Sequence, residues 1–130
     1  MSEIRVPISP GELLDKITIL QIKSERISDP DKVANVRTEL DMLNQVWADA
    51  VEADDLIDAL TVELKSINEA LWEIEDDIRD EERNKRFGDR FIELARAVYV
   101  TNDQRAEAKK KVNLHLNSTI VEEKSYQDYT

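Results

Sequence analysis

The chain has 130 residues, of which 41% are hydrophobic and 36% charged, a balance typical of one globular domain. Its 29 acidic residues outnumber the 18 basic ones, and the net charge of -11 disfavours binding to nucleic acid and to anionic membrane surfaces. The absence of cysteine excludes disulfides, thiolate metal sites and a cysteine nucleophile. Since no apolar run reaches the length of a membrane span and no signal peptide is recognisable, we expect a soluble, cytoplasmic protein.

The N-terminal part of the chain predicts a short extended segment followed by a buried helix. Residues 1–8 alternate apolar and polar positions but are too few to form a sheet. The first helix is expected to begin after Ser9, with Pro10 in its first turn and Glu12 completing a reciprocal capping box, and to end near Ile27. Its apolar residues point in nearly every direction, which predicts a central helix: Leu13, Leu14, Ile17, Ile19, Leu20 and Ile22.

Two further helices are predicted from seams of apolar residues at alternating spacings of three and four. The second is capped by Asp29 and has the seam Val33, Val36, Leu40, Leu43 and Trp47. The third begins near Asp54 or Asp55 and runs to about Arg86, where Gly88 is expected to provide a left-handed cap. Its seam predicts a long helix packed at a shallow angle against another: Ile57, Leu60, Leu64, Ile67, Leu71, Ile74 and Ile78.

The C-terminal part of the chain predicts two more helices and a polar tail. Asp89 is expected to cap the fourth helix, the triplet 101–103 interrupts it, and a fifth helix runs from Gln104 to about Leu116. The tail at 118–130 has four apolar or aromatic residues able to pack on the helices: Ile120, Val121, Tyr126 and Tyr129. The sequence therefore predicts an all-α fold: a compact helical bundle with a long antiparallel helical hairpin, in a single domain spanning 1–130.

Acidic residues are dense on the third helix, and acids at helical spacing are able to bind magnesium. Most of them lie opposite the apolar seam, so we interpret the row as a solvated face: Glu69, Glu73, Asp76, Asp77, Asp80, Glu81 and Glu82. The chain has a single histidine, His115, and its two glycines form no phosphate-binding loop. We therefore expect no metal centre and no cofactor.

The candidate ligand-binding residues are polar side chains at the margins of apolar helix faces, where polar groups need partners. They are expected to converge from helices 1, 3 and 5. The prediction places Trp72, Glu75 and Arg79 opposite Lys16 or its neighbours, with Arg105 or Lys109 close by. The candidate set is Glu12, Lys16, Trp72, Glu75, Arg79, Asn102 and Arg105.

Four segments of the chain resemble a family of small bacterial and phage proteins, domain-of-unknown-function family 6165. They are residues 6–20 with the sequence GELLDK, residues 68–79 with LWEIEDDIR, residues 102–113 with NDQRA, and residues 120–126 with EEKSY. The family has no established activity, so the resemblance assigns no catalytic roles. It implies that these segments do more than form helices, and it implies a link to bacterial glycosyltransferases and thus to glycan or nucleotide-sugar metabolism.

Three functional hypotheses follow from the sequence. The first is a non-enzymatic interaction or accessory module that binds a second copy of itself or another protein through its helical seams. The second is a small-ligand binder or enzyme that uses the candidate residues in a polar cleft. The third is a magnesium-dependent all-α nucleotide hydrolase that uses the acids of the third helix. The first two differ in whether the candidate residues line a concave pocket containing unpaired charges or only pair with one another.

Overall fold

The computed structural model describes residues 3–130, and four helices account for all of the regular secondary structure in that range. They are α1 (Pro10–Arg26), α2 (Pro30–Ala50), α3 (Asp55–Arg83) and α4 (Asp89–His115). This confirms the all-α class. Residues 3–8 form no helix or strand, and residues 1 and 2 of the predicted extended segment lie outside the described range. None of the helices within residues 3–130 is both long and apolar enough to cross a membrane.

Helix α1 is the central element of the bundle. It contacts each of the other three helices, and Leu14, Ile17, Leu20 and Ile22 are among its buried residues. The Oγ atom of Ser9 accepts a hydrogen bond from the backbone N–H of Glu12 at 3.2 Å, which is the predicted N-cap. The reciprocal half of the capping box was predicted wrongly, because the Glu12 carboxylate pairs with Lys109 of α4 instead.

Helix α2 packs only against α1. Its N-cap is Asp29 as predicted, with Oδ1 accepting a hydrogen bond from the backbone N–H of Asp31 at 2.9 Å. No residue of α2 is buried, and its predicted seam is only half-buried. Trp47, near the end of α2, packs against the hydrophobic core.

Helices α3 and α4 are joined by residues 84–88 and run in opposite directions. Ion pairs and hydrogen bonds between them join Asp77 to Arg90, Glu63 to Lys111 and Asp54 to His115, so residue numbers rise on one helix as they fall on the other. The core lies between α3, α4 and α1 and is formed by Leu14, Ile57, Leu60, Leu64, Ala108 and Val112.

The connection between α3 and α4 differs from the prediction at Gly88 and Asp89. Helix α3 ends in a Schellman motif, in which Lys85 takes the left-handed conformation with φ 58° and Arg86 donates its N–H to the carbonyl of Glu81 at 2.9 Å. Gly88 is extended and serves as the N-cap of α4, so Asp89 is the first residue of that helix rather than its cap. The motif can form with lysine because backbone hydrogen bonds offset the cost of the left-handed conformation.

Helix α4 is continuous, so the predicted break at residues 101–103 and the separate fifth helix are wrong. Thr101 is itself buried, in line with Leu94, Ala108 and Val112 on the side of α4 that faces the bundle. Packing of this continuous stripe outweighs the weak helix propensity of threonine, asparagine and aspartate.

Candidate functional site

A buried polar network lies where α1, α3 and α4 meet, and its centre is Asp15, which is 1% exposed. Arg105 of α4 forms a bidentate pair with its carboxylate: Nε donates to Oδ1 at 2.9 Å, and Nη2 donates to Oδ2. Asn68 of α3 donates from Nδ2 to the same Oδ1 at 2.9 Å and to Oγ1 of Thr18 at 3.0 Å. The network ties three helices together through one carboxylate.

The pairing of Asp15 with Arg105 favours the charged form of the guanidinium. Hydrogen bonding to Asp15 raises the pKa of Arg105 above its ordinary value, against the opposing effect of burial. Within residues 3–130, every buried side-chain nitrogen or oxygen atom has a hydrogen-bond partner. A buried charge with all its partners is held rigidly, so the groups bonded to Asp15 have fixed orientations.

The Asp15 network forms one wall of an open cleft of about 440 Å³ between α1, α3 and α4, which we call the polar cleft. This volume lies within the range of small-molecule sites. The residues lining the polar cleft are Ile19, Ile22, Lys23, Asn68, Leu71, Trp72, Glu75, Asp76, Arg79, Asn102 and Arg105.

Five of the seven candidate residues predicted from the sequence line the polar cleft: Trp72, Glu75, Arg79, Asn102 and Arg105. The other two do not. Glu12 lies in the first turn of α1 and forms an ion pair with Lys109, and Lys16 is exposed and outside the cleft. On α1 the lysine of the cleft is Lys23, which lies two turns after Lys16 on the same side of the helix.

The charges at the cleft are of both signs. Arg79 and Glu75 form an exposed ion pair at 3.3 Å. Lys23 and Asp76 form no ion pair within the described range 3–130. Since Arg105 is neutralised by Asp15, the cleft as a whole carries little net charge despite the acidity of the chain.

A second polar layer lies beside the first, between the start of α1 and the end of α4. Lys109, with a side chain 9% exposed, pairs with Glu12 at 2.7 Å and with Glu122 at 2.9 Å. Burial opposes its charge, but hydrogen bonds to the two carboxylates outweigh this and raise its pKa. Asn113 accepts a hydrogen bond at 2.7 Å from the backbone N–H of Gly11, whose missing side chain lets α1 approach α4.

The C-terminal residues 118–130, which we call the C-terminal strap, run back along α4. Glu122 contacts Lys109 near the end of α4, while Tyr129 donates a hydrogen bond to Asp103 at 2.7 Å and packs edge-on against Tyr99. Of the apolar strap residues predicted to pack, Tyr129 does so, whereas Tyr126 is 83% exposed. The strap adjoins the polar cleft, because a small cavity beside Glu122 is also lined by Asn102 and Arg105.

The acidic row of α3 lies on the surface and pairs mainly with arginines. Arg26 bridges Glu69 and Glu73 at 3.6 and 3.5 Å, and Arg90 reaches Asp77 at 3.5 Å. Across residues 3–130, no three acidic or histidine side chains converge as a set of metal ligands. His115 contacts Asp54, and hydrogen bonds from His115 and from the backbone of Ile57 lower the pKa of Asp54.

Sequence reasoning placed Asp15 and Asn68 inside the motifs but did not identify them as the centre of the site. The available signal was an acid on a helix that is apolar on all sides, since such an acid has no solvent to face. Its partner Arg105 is 90 residues away in sequence, and a single sequence gives no information on such pairing.

The fold and the site together define an all-helical protein with a polar cleft beside a buried carboxylate–arginine pair. The chain belongs to the Family of unknown function (DUF6165), whose model matches residues 4–129, and this confirms the resemblance seen in the sequence. No curated protein and no solved structure matches the chain.

Proposed function

We propose that the protein is a binding module whose polar cleft receives a small polar molecule. The observation that carries this proposal is the convergence of side chains from three helices on one cleft, backed by the Asp15 carboxylate, both of whose oxygens accept hydrogen bonds. Two charged groups at the cleft, those of Lys23 and Asp76, have no ion-pair partner within residues 3–130, which favours a ligand over simple mutual pairing.

Binding without catalysis fits the chemical state of the cleft. Both oxygens of Asp15 accept hydrogen bonds from Arg105, so this carboxylate is committed to structure rather than to proton transfer. Glu75 is engaged by Arg79, and the only histidine, His115, contacts Asp54. The cleft is therefore better suited to hold a ligand than to activate one.

Fragment mapping tests this proposal directly. A library of small polar fragments is titrated into ¹⁵N-labelled protein, and binders are expected to shift the indole N–H of Trp72 and the side-chain amide of Asn102. The substitution Asn102→Leu is expected to abolish the shift of the Trp72 indole N–H, whereas Lys16→Met, which changes an exposed side chain outside the cleft, is expected to preserve it. Fragments that bind only elsewhere, or no binding fragments at all, would contradict the proposal.

A second candidate function is self-association through α2. It is supported by the lack of any buried residue on α2 and by the apolar side chains that α2 exposes on the side away from its half-buried seam. Met42 and Val46 are each 51% exposed on this helix. A second copy of the chain offers the same exposed face with Met42 and Val46, so two α2 helices provide a self-complementary contact.

Sedimentation of the purified protein across a range of concentrations tests self-association. Met42→Glu is expected to shift the protein toward the monomer, because it places a charge in the proposed contact. Val62→Glu is the matched control, since Val62 is 71% exposed on α3 and lies outside that contact. A parent protein that is monomeric at all concentrations would exclude this candidate.

A further inference from the structure

We propose that the ligand of the polar cleft is a planar heterocycle of the nucleobase type, bound at its polar edge by Asn68 and Arg105 and at its face by Trp72. This inference rests on the proposed function, because it names the ligand class of the same cleft. It follows from the hydrogen-bonding groups that the Asp15 network leaves free.

The first group is a fixed acceptor, the side-chain carbonyl of Asn68. Asp15 offers only acceptor oxygens, and the hydroxyl of Thr18 already donates to the backbone carbonyl of Asp15 at 2.8 Å, so both bonds to Asn68 require its N–H groups. Its Oδ1 makes no hydrogen bond within residues 3–130. Asn68 is 5% exposed, yet no buried side-chain oxygen in that range lacks a partner, so Oδ1 keeps its accessibility through the cleft that Asn68 lines.

The second group is a donor, the guanidinium of Arg105. Its Nε and Nη2 atoms are held by Asp15, which leaves Nη1 without a hydrogen bond in the described part of the chain. Arg105 Nε and Asn68 Nδ2 each lie 2.9 Å from the same oxygen of Asp15, so the two side chains stand next to each other. Because both residues line the cleft, it offers an acceptor from Asn68 and a donor from Arg105, and the complementary ligand edge carries a donor and an acceptor, as the pairing edge of a nucleobase does.

The third group is a flat apolar surface. Trp72 lies one helical turn after Asn68 on α3, on the same face, and is half-buried in the wall of the cleft together with Leu71 and Ile19. Indole rings stack well on planar heterocycles, and this contact tolerates any base. A heterocycle stacked on the indole of Trp72 has its polar edge directed toward the preceding turn of α3, where Asn68 lies.

The near-zero net charge of the polar cleft favours a neutral heterocycle over a polyanion as its ligand. Lys23 and Arg79 are offset by Glu75 and Asp76, and Arg105 is neutralised by Asp15. A ligand that depended on several phosphates would also be repelled by the net charge of -11. The planar, neutral part of the ligand is therefore the part that the cleft recognises.

Saturation-transfer NMR with uridine, cytidine, adenosine and guanosine tests the inference, with ribose as the control for the sugar. At least one nucleoside is expected to bind saturably while ribose does not. The edge is tested with 3-methyluridine and 1-methylguanosine, which lack the ring N–H donor and are expected to bind at least about tenfold more weakly than their parents. This comparison requires no substitution in the protein.

The protein side is tested by Trp72→Leu, which is expected to weaken nucleoside binding about tenfold or more through loss of stacking. Trp47→Phe is the matched control, because Trp47 lies on α2 outside the cleft, and it is expected to leave binding unchanged. Fragments that map to the cleft while all four nucleosides fail to bind would overturn the ligand class and leave the proposed function standing. Nucleoside binding unaffected by Trp72→Leu, or equally tight for the methylated bases, would also overturn it.

Discussion

Gly11 shows how one residue sets the distance between two helices. Its backbone N–H, which has no partner within the first turn of α1, donates to Asn113 Oδ1 at 2.7 Å. A Cβ atom on Gly11 would lie 2.4 Å from the backbone carbonyl oxygen of Lys109. The sequence indicates only that Gly11 follows the helix start, and nothing local points to a contact with a residue 102 positions away.

Gly11→Ala is expected to lower the free energy of unfolding by about 1–3 kcal/mol, because backbone atoms of α4 must move to make room. The better helix propensity of alanine, about 1 kcal/mol, offsets only part of this loss. Urea unfolding followed by circular dichroism measures the change. Gly88→Ser is the control, since a Cβ there meets nothing within 4 Å and serine adds a capping oxygen. If the Gly11→Ala protein is as stable as the parent, the space between α1 and α4 in solution must be large enough to hold a methyl group at this position.

At the scale of whole elements, the heptad seam of α3 has two different parts. Its first half is buried in the core, where Leu64 is fully buried, whereas Leu71 is partly exposed and lines the polar cleft. The seam was predicted from the spacing, but spacing alone does not show which residues face packed helices and which face a cleft. That distinction depends on how far α1 extends along α3, which is a property of the assembled bundle.

Leu64→Ala is therefore expected to cost about 2–5 kcal/mol of unfolding free energy, the usual range for a buried leucine. Leu71→Ala is expected to cost less than about 2 kcal/mol, because its side chain is not fully removed from water. Chemical denaturation of the two variants under identical conditions compares them. Equal losses would mean that Leu71 is as buried as Leu64 in solution.

The C-terminal strap is an element without regular secondary structure, and a few side chains attach it to α4. A hydrogen bond from Lys109 lowers the pKa of Glu122 below its ordinary value of 4.5. Stabilisation from this contact is therefore present above the ordinary pKa and is lost as the pH falls through the lowered pKa. We expect ¹⁵N relaxation to show residues 120–126 attached at pH 7 and progressively more mobile as the pH falls below 4.5.

Glu122→Gln is expected to give the same mobility of the strap already at pH 7, because the amide carries no charge to pair with Lys109. Glu123→Gln removes an equal charge from the next residue, which forms no ion pair within residues 3–130, and should leave the strap attached. A strap that stays ordered in the Glu122→Gln protein at pH 7 would show that Tyr129 and its contacts hold it without Glu122.

At the scale of the whole molecule, the elements were predictable and their connections were less so. Ser9, Asp29 and Asp54 mark three helix starts by the local chemistry of capping, which the sequence carries in full. The end of α3 at a lysine in the left-handed conformation and the unbroken course of α4 depend on backbone bonding and tertiary packing. Prediction of the site was limited in the same way by tertiary packing. Its helices were predicted, but the register of α1 that brings Lys23 rather than Lys16 to the cleft was not.

The uneven attachment of the four helices gives the last prediction. Helix α2 contacts only α1 and has no buried residue, whereas α1, α3 and α4 share the core. Backbone amides exchange with solvent through local opening, and elements with few buried contacts open at the lowest free energy.

In dilute protein, α2 amides are therefore expected to exchange well before those of Leu60 and Leu64 in α3. Mass-spectrometric hydrogen exchange at two concentrations measures this, and protection of α2 equal to that of α3 even in dilute protein would contradict the prediction. Protection of α2 that rises with concentration would instead show that a second copy covers this helix.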